Sequence, residues 1–229
     1  MNGIFITGTD TGVGKTHVSC LIASQLFKSG LRVGVMKPAE SGCCEENGRL
    51  VPEDALNLKR ASGCDVSIDE ICPYAFPLPL APAEAAKRAG VAVDVGKIEA
   101  ACHRMAGSSD FTLVEGAGGL LVPLSEQYLF ADLARDLRLP LLIVARAGLG
   151  TVNHSLLTFE AARNRGIRVA GIVLNESIPH AADVSYEGNR RLLSELVPVP
   201  VLGPLPHASL ASEEVRDAVI RDLCRLIHP

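Results

Sequence analysis

The chain has 229 residues, of which 48% are hydrophobic and 4% aromatic, so it can form one α/β domain with a full aliphatic core. Its net charge of −4 and the even spread of its 22 Lys and Arg residues argue against a protein that binds a nucleic-acid backbone. No segment approaches the ~20 apolar residues of a membrane span, and the N-terminus lacks a signal-peptide pattern, so we expect no membrane partner and a cytoplasmic location.

The first predicted unit is a strand at residues 3–7, followed by a glycine-rich turn and a helix. The turn at residues 8–16 reads GTDTGVGKT, the pattern of a loop that surrounds phosphate groups. Glycines allow backbone N–H groups to converge on phosphate oxygens, and the helix N-terminus adds partial positive charge. We expect Lys15 to reach the β- and γ-phosphates and Thr16 to hold Mg²⁺. The loop is one residue longer than the standard pattern.

A helix, a strand and a loop are predicted after this turn. Apolar residues at helical spacing indicate a helix over 15–29, which Gly30 ends. A strand is expected at residues 31–36, and Lys37 follows it directly. Ligands of open α/β sheets gather beyond the carboxyl ends of strands, which favours a chemical role for Lys37 over a surface lysine. Residues 40–51 are expected to form an exposed loop.

The next segment is predicted to be mostly helical, with a proline-rich interruption. A helix is expected at residues 53–61, and for Asp54 in its first turn the residues alone favour a helix-dipole partner over a metal ligand. Prolines within residues 73–82 exclude a helix interior or a central strand, so we expect an ordered excursion over the sheet edge. Helical turns at 83–89 and a helix at 95–105 follow.

A buried strand with an acidic residue after it is predicted in the middle of the chain. Residues 111–114 are strongly apolar and lead into Glu115 and the glycine-rich turn at 116–119. A carboxylate at the end of a strand, far in sequence from a phosphate-binding loop, is the arrangement by which P-loop NTPases hold Mg²⁺, although Asp is usual there. The glycines allow backbone to approach a phosphate or substrate closely.

Strands and helices continue to alternate toward the C-terminus. A helix at 129–137, a strand at 141–145 and a turn at 148–153 precede a helix to about residue 165, whose first-turn His154 we interpret as structural rather than catalytic. The helix N-terminus there could bind an anion.

The strand predicted at residues 169–174 ends at Asn175, whose amide either contacts a nucleobase or caps a turn. A helix over 183–196, a last strand at 199–203 with Pro204 to Pro206 leaving it, and a helix that begins at Ser212 complete the chain. The alternation predicts a single P-loop NTPase-like α/β domain over residues 1–229, with a mostly parallel sheet and helices on both faces.

Four separate motifs together resemble one family, the dethiobiotin synthetases. They are TGTDTGVGKT at residues 7–16, KP at 37–38 with SG at 41–42, VEGAGG at 114–119 and GTVNH at 150–154. The similarity extends from residue 3 to about residue 206, and the elongated P-loop is its most specific part.

The resemblance implies an ATP- and Mg²⁺-dependent ring closure in biotin biosynthesis. Its substrates are 7,8-diaminononanoate (7,8-diaminopelargonate) and CO₂ or bicarbonate, and its products are dethiobiotin, ADP and phosphate. One amine captures CO₂ as a carbamate, which attacks the γ-phosphate to give a carbamic-phosphoric anhydride, and the second amine closes the ring. A carbamate and a triphosphate are both anionic, so the reaction requires concentrated positive charge.

The resemblance also implies roles for individual residues. Lys37, Lys15 and Thr11 are implied to act in catalysis. Ser41, Thr11 and Lys37 are implied to hold the carbamate end of the substrate. The residues implied to bind ATP are Gly12, Val13, Gly14, Lys15, Thr16, His17, Asp54, Glu115, Gly116, Ala117, Gly118, Asn175, Pro204, Leu205 and Pro206.

A metal site and a shared substrate site are implied in the same way. Thr16, Asp54 and Glu115 match the family's Mg²⁺ ligands, which changes the interpretation of Asp54 from helix-dipole partner to ligand. Gly150 and Asn153 are implied to bind the substrate's carboxylate across a homodimer interface.

Three alternatives are weighed against this family. Partition and metal-pump ATPases have Lys at the position of Asp10, so this residue argues against them. Amidating synthetases of the cobyric acid type normally carry a C-terminal glutaminase domain, for which the chain is expected to be too short. A nucleotide-sensing regulatory module would bind ATP without needing Lys37.

Overall fold

The computed structural model describes residues 1–176, 185–207 and 213–228. The strands, in chain order, are β1 (Gly3–Gly8), β2 (Val33–Met36), β3 (Glu40–Ser41), β4 (Cys44–Glu46), β5 (Arg49–Val51), β6 (Ala75–Phe76), β7 (Phe111–Gly119), β8 (Pro123–Ser125), β9 (Tyr128–Leu129), β10 (Leu141–Arg146), β11 (Val169–Asn175) and β12 (Val201–Leu205). The helices are α1 (Lys15–Lys28), α2 (Glu53–Ser62), α3 (Ile68–Ile71), α4 (Pro82–Ala89), α5 (Val95–Ser108), α6 (Phe130–Asp136), α7 (Thr151–Asn164), α8 (Ser185–Leu196) and α9 (Glu213–Ile227).

A parallel sheet of six strands, in the order β12-β11-β10-β1-β7-β2, forms the centre of the fold. In its middle, Phe5 of β1 lies opposite Leu141 of β10 and Val114 of β7. Helix α1 packs against β1, β2 and β7, while α5 packs against β2 and β7. The predicted α/β class with a mostly parallel sheet is confirmed. Because all six strands run in the same direction, their carboxyl ends meet at one edge.

The core is built from the apolar strands that the sequence predicted. Every residue of β1 and of β11 is buried, as expected for strands of a parallel sheet that is covered on both faces. The largest side chains without solvent exposure are Phe5, Phe111 and Phe130, and most of the remaining core is aliphatic. In the described part of the chain, no helix has both the length and the apolar character needed to cross a membrane.

The loop predicted at residues 40–51 forms three short strands instead, although residues 44–49 are exposed as predicted. β3 pairs in parallel with β6, and β4 pairs with β5 as an antiparallel hairpin. The hairpin turns at Asn47 and Gly48, which both adopt positive φ, and an Asn-Gly pair is a known signal for such a turn. Glu40 is buried although β4 is exposed, so polar composition alone misjudged this segment.

The proline-rich stretch at 73–82 is an ordered excursion, as predicted, because β6 within it pairs with β3. Its last residue, Pro82, is the first residue of α4. A proline at this position loses no helical hydrogen bond, since the first N–H groups of a helix have no partner within the helix.

Several predicted boundaries shift. The strand predicted at 111–114 continues to Gly119, so Glu115 lies within β7, opposite Ile6 of β1. Pro204 and Leu205 belong to β12 rather than leaving it, which a proline permits because β12 is an edge strand.

The strand predicted at 31–36 begins at Val33, and the last strand, predicted at 199–203, begins at Val201. Helix α3 and the β8–β9 hairpin were not predicted. The helix predicted from residue 183 is described from Ser185 onward, and Ser212 lies outside the described residues.

Candidate active site

A cavity of about 750 Å³ lies at the carboxyl ends of the central strands. It is large enough for a nucleotide with a small second ligand. Most of the site residues predicted from the sequence line it: Thr11, Gly12, Gly14, Lys15, Thr16, His17, Lys37, Ser41, Asp54, Ala117, Gly118 and Asn175. Residues that are 164 positions apart in the chain therefore meet in one site.

The other predicted site residues do not line this cavity: Val13, Glu115, Gly116, Gly150, Asn153, Pro204, Leu205 and Pro206. Val13, Glu115 and Leu205 are buried. Gly150 and Asn153 are exposed at the start of α7, outside the cavity.

The phosphate-binding loop presents an open helix N-terminus. Gly12 and Gly14 have φ of 75° and 92°, a left-handed conformation that side chains rarely adopt. Gly14 precedes α1 without a side-chain cap, and the first turn of α1 contains no acidic residue. The Lys15 ammonium donates to the Asp10 carbonyl at 3.2 Å. Free N–H groups and a lysine at one helix end form a site for an anion.

Strand register brings Lys37 and Glu115 together. Met36 of β2 lies opposite Val114 of β7, so Lys37 and Glu115 are the next residues along two adjacent parallel strands. The Lys37 Nζ lies 2.6 Å from Glu115 Oε1. Both residues are buried, and the lysine is therefore not the surface residue that the sequence left as an alternative.

Two further side chains complete this charge cluster, which consists of Lys37, Glu115, Asp54 and Thr16. The Lys37 Nζ lies 2.7 Å from Asp54 Oδ2, and the Thr16 hydroxyl donates to Glu115 Oε1 at 2.7 Å. The cluster thus joins the start of α1, the residue after β2, the first turn of α2 and β7. A buried ammonium needs such partners, because removing a charged group from water costs on the order of several kcal/mol.

The electrostatics of the two lysines differ. Burial disfavours the Lys37 ammonium, but the carboxylates of Glu115 and Asp54 outweigh burial and raise the pKa of Lys37. Burial and then the positive charge of Lys37 lower the pKa of Lys15 to about 8. Lys15 therefore lacks enough negative charge nearby, and a phosphate group would favour its ammonium form.

The oxygen atoms of this cluster fit a magnesium ion. Glu115 Oε2 is buried and has no hydrogen-bond partner in the described part of the chain. The Thr16 hydroxyl and the Asp54 carboxylate are connected to the same network through Glu115 and Lys37. Carboxylate and hydroxyl oxygens are the donors that Mg²⁺ prefers, and Mg²⁺ is usually held by one or two carboxylates together with substrate phosphates.

Asn175 connects β11 to the phosphate-binding loop. Its Nδ2 donates to the Val13 carbonyl at 2.9 Å. Its Oδ1 is buried and has no partner among the described residues. The side chain therefore supports the loop through one atom and leaves an acceptor available to a ligand in the cavity.

Further residues line the cavity that are not among the site residues predicted from the sequence: Glu40, Pro79, Leu80, Ala81, Pro82, Val122, Glu176 and His207. The carboxylate of Glu176 accepts the His207 backbone N–H at 3.2 Å, and these residues follow Asn175 and Pro206 directly. Their proximity to predicted residues was the available signal. His154 does not line the cavity, and its Nδ1 lies 3.0 Å from Arg146 Nη2, which agrees with a structural role.

Comparison with known proteins identifies relatives along nearly the whole chain. Residues 2–215 match the family model described as an AAA domain. The ATP-dependent dethiobiotin synthetase of Thermodesulfovibrio yellowstonii is 40% identical over 228 residues, which cover 96% of this chain and 95% of that protein. The synthetase of the same name from Anaeromyxobacter sp. is 50% identical over 179 residues, 78% of each chain.

A solved structure shares the fold at low sequence identity. Cobyrinic acid a,c-diamide synthase from Mycobacterium smegmatis has a TM-score of 0.60 at 15% identity, and the match covers 98% of this chain and 93% of that one. This similarity shows the fold alone.

Without nucleotide, the effects of substituting Lys37 and Glu115 on the free energy of unfolding should be strongly coupled. Lys37→Met leaves the buried Glu115 carboxylate without its ammonium, so we expect a loss of about 3–5 kcal/mol in the free energy of unfolding. Lys37→Met with Glu115→Gln should recover part of this loss, which urea unfolding of the two single variants and the double variant will measure.

The exposed pair Arg88–Glu84 provides the control, because its side chains are 58% and 46% exposed. The same cycle with Arg88→Met and Glu84→Gln should give a coupling of about 0.5 kcal/mol or less. Additive effects of the Lys37 and Glu115 substitutions would contradict the assigned ion pair.

Proposed function

The chain belongs to the family of ATP-dependent dethiobiotin synthetases, and we propose how this site performs the reaction. The protein is an enzyme that forms dethiobiotin in biotin biosynthesis at the expense of ATP. We propose 7,8-diaminononanoate and CO₂ or bicarbonate as the other substrates, with ADP and phosphate as products. The observation that carries the proposal is the buried Lys37 ammonium, which lines the same cavity as Lys15 and Ser41.

The proposed chemistry joins two anions. One amine of the diamine adds to CO₂ and loses a proton, which gives a carbamate. A carbamate oxygen then forms a bond to the γ-phosphorus while the bond to ADP breaks. The second amine attacks the carbonyl carbon of the resulting anhydride, and phosphate leaves as the ring closes. Each step needs the reactants to be held together despite their negative charge.

The cavity supplies positive charge for this encounter. Lys15 would contact the β- and γ-phosphates, and Lys37, Thr11 and Ser41 would hold the carbamate. Fixed cations in a site with little water stabilise charge on a transferring phosphoryl group more strongly than water does. The lowered pKa of Lys15 supports this assignment, because burial and the nearby Lys37 ammonium disfavour its charged form and a bound phosphate would stabilise it.

We propose Thr16, Asp54 and Glu115 as the residues that would hold Mg²⁺. Glu115 Oε2 has no other partner among the described residues, and the hydroxyl of Thr16 bonds the same carboxylate. When bound, Mg²⁺ neutralises charge on the nucleotide phosphates.

The nucleotide itself would lie along the phosphate-binding loop. The backbone of residues 12–17 and of residues 116–118 would face the phosphates, and Asn175 Oδ1 would accept from a base amino group. Pro204 and Leu205 of the adjacent strand β12, and Pro206 directly after it, would border the base. These assignments rest on the family motifs and on the position of the cavity.

We propose that the protein is a homodimer, in which the second copy binds the carboxylate of the substrate. Gly150 and Asn153 lie at the exposed N-terminal end of α7, where backbone N–H groups could bind a carboxylate. Leu149 and Leu157, which flank them, are 85% and 58% exposed. A second copy of the chain would cover these leucines and bring its Gly150 and Asn153 toward the first copy's cavity. We also propose a cytoplasmic location for the protein, as expected from the sequence.

Phosphate release should depend strictly on the diamine. We expect release with ATP, Mg²⁺, bicarbonate and 7,8-diaminononanoate, and background release when the diamine is omitted, because the carbamate is the nucleophile. Steady release without the diamine would contradict a synthetase and favour a switch ATPase. Mass spectrometry of the product checks that dethiobiotin forms.

Lys37→Ala should separate catalysis from nucleotide binding. We expect kcat to fall by about 10²–10³-fold or more, since one preorganised cation is removed, while the Kd for ATP changes only a few-fold. Turnover assays and calorimetry measure the two effects. Lys28→Ala, at the exposed C-terminal end of α1, is the matched control and should leave both unchanged. A Lys37→Ala variant with near-normal kcat would exclude the assigned role.

A further inference from the structure

Glu40 is a buried carboxylate at the cavity that neither the family motifs nor the proposed reaction uses. It lies in β3 between Lys37 and Ser41 and is 7% exposed. Its Oε1 accepts the Asp54 backbone N–H at 2.9 Å, and its Oε2 accepts the Ala55 N–H at 3.0 Å. Its own backbone N–H donates to the Tyr74 carbonyl at 2.9 Å. Both its side chain and its backbone are therefore fixed.

Helix α2 depends on this carboxylate for its N-terminal cap. The residue before α2 is Pro52, which makes no side-chain hydrogen bond to the first turn. The first N–H groups of a helix have no partner within the helix, and a carboxylate there also interacts favourably with the helix dipole. Glu40 supplies this cap from a segment 14 residues earlier in the chain.

The residue that Glu40 holds is Asp54. The Asp54 backbone is bound by Glu40, while the Asp54 carboxylate is bound by the Lys37 ammonium at 2.7 Å. Lys37 and Glu40 are three residues apart, so one short segment fixes Asp54 at two points. The Asp54 carboxylate consequently has little freedom to turn away from the cavity.

We propose that Glu40 is a positioning residue, which orients the Asp54 carboxylate for Mg²⁺ by anchoring the N-terminus of α2. Each of its oxygens already accepts a backbone N–H, so its contribution is made through Asp54 rather than by contact with a reactant. The inference rests on the proposed magnesium site. Partners that orient a metal ligand commonly contribute 10–100-fold to metal affinity or activity.

Glu40→Gln is the direct test. The variant keeps the size of the side chain, but its NH₂ group faces one of the two N–H donors, so the double hydrogen bond is lost. We expect about 10–100-fold weaker binding of Mn²⁺, used as the spectroscopic substitute for Mg²⁺, to the ADP complex in electron paramagnetic resonance titrations. ADP binding without metal should change little, because Glu40 contacts neither the phosphate-binding loop nor the nucleotide in the proposed complex. Hydrogen exchange at the amides of Asp54 and Ala55 should become faster.

Asp94→Ala controls for the loss of a helix cap alone. Asp94 accepts the Lys97 N–H at 3.1 Å at the start of α5, and it is exposed. Its removal should lower thermal stability without changing Mn²⁺ affinity. If Glu40→Gln also leaves Mn²⁺ affinity unchanged, Glu40 is only a helix cap and the proposal is wrong. If Glu40→Gln fails to fold, Glu40→Asp, which keeps the charge but cannot reach both N–H groups, is measured in the same way.

Asp54→Asn distinguishes this inference from the proposed function. If Asp54→Asn weakens Mn²⁺ binding and Glu40→Gln does not, only the role of Glu40 is excluded. If Asp54→Asn has no effect on Mn²⁺ binding, the magnesium site itself is misplaced, and the inference fails with it.

Discussion

The contact between the Lys37 ammonium and the Glu115 carboxylate, 2.6 Å long and shielded from water, is the interaction on which the site depends. Such a pair is stable only when both charges keep further partners, which Asp54 and Thr16 provide. The sheet makes the pair possible. Met36 of β2 lies opposite Val114 of β7, so the next residues, Lys37 and Glu115, are neighbours at the end of the two strands. The fold therefore constrains the chemistry directly: a shift of one residue in either strand would separate the charges.

In the proposed reaction, this arrangement would allow one site to accept two anionic reactants. Lys37 has two carboxylate partners, whereas burial and the charge of Lys37 lower the pKa of Lys15 more than the surrounding carboxylates raise it. In the proposed complex, the nucleotide phosphates would supply negative charge next to Lys15. The carboxylate oxygen of Glu115 that has no partner among the described residues offers a place for a cation that accompanies those phosphates. Both features support the proposed binding of a metal–nucleotide complex at this site.

Much of the fold and of the site could be predicted from the sequence, because strand ends and glycine-rich turns have strong local patterns. The phosphate-binding loop, Lys37 and Glu115 were all predicted at the same edge of the sheet. For Asp54 the residues alone favoured a helix-dipole partner over a ligand, because its contact with Lys37, 17 positions away, is not visible in a local pattern. Glu40 was not predicted as a site residue because it begins a polar stretch, and such a stretch is typical of a surface loop. Its burial follows from pairing with β6, a contact no local pattern reveals.

The most direct test of the account is a crystal structure with Mg²⁺, a non-hydrolysable ATP analogue and the diamine. The account predicts that the Lys37 ammonium lies within about 3 Å of a terminal phosphoryl oxygen, with the metal on the Glu115 carboxylate and space for the carbamate beside Ser41. If the Lys37 ammonium points away from the nucleotide and the metal is bound elsewhere than on Glu115, the account is contradicted.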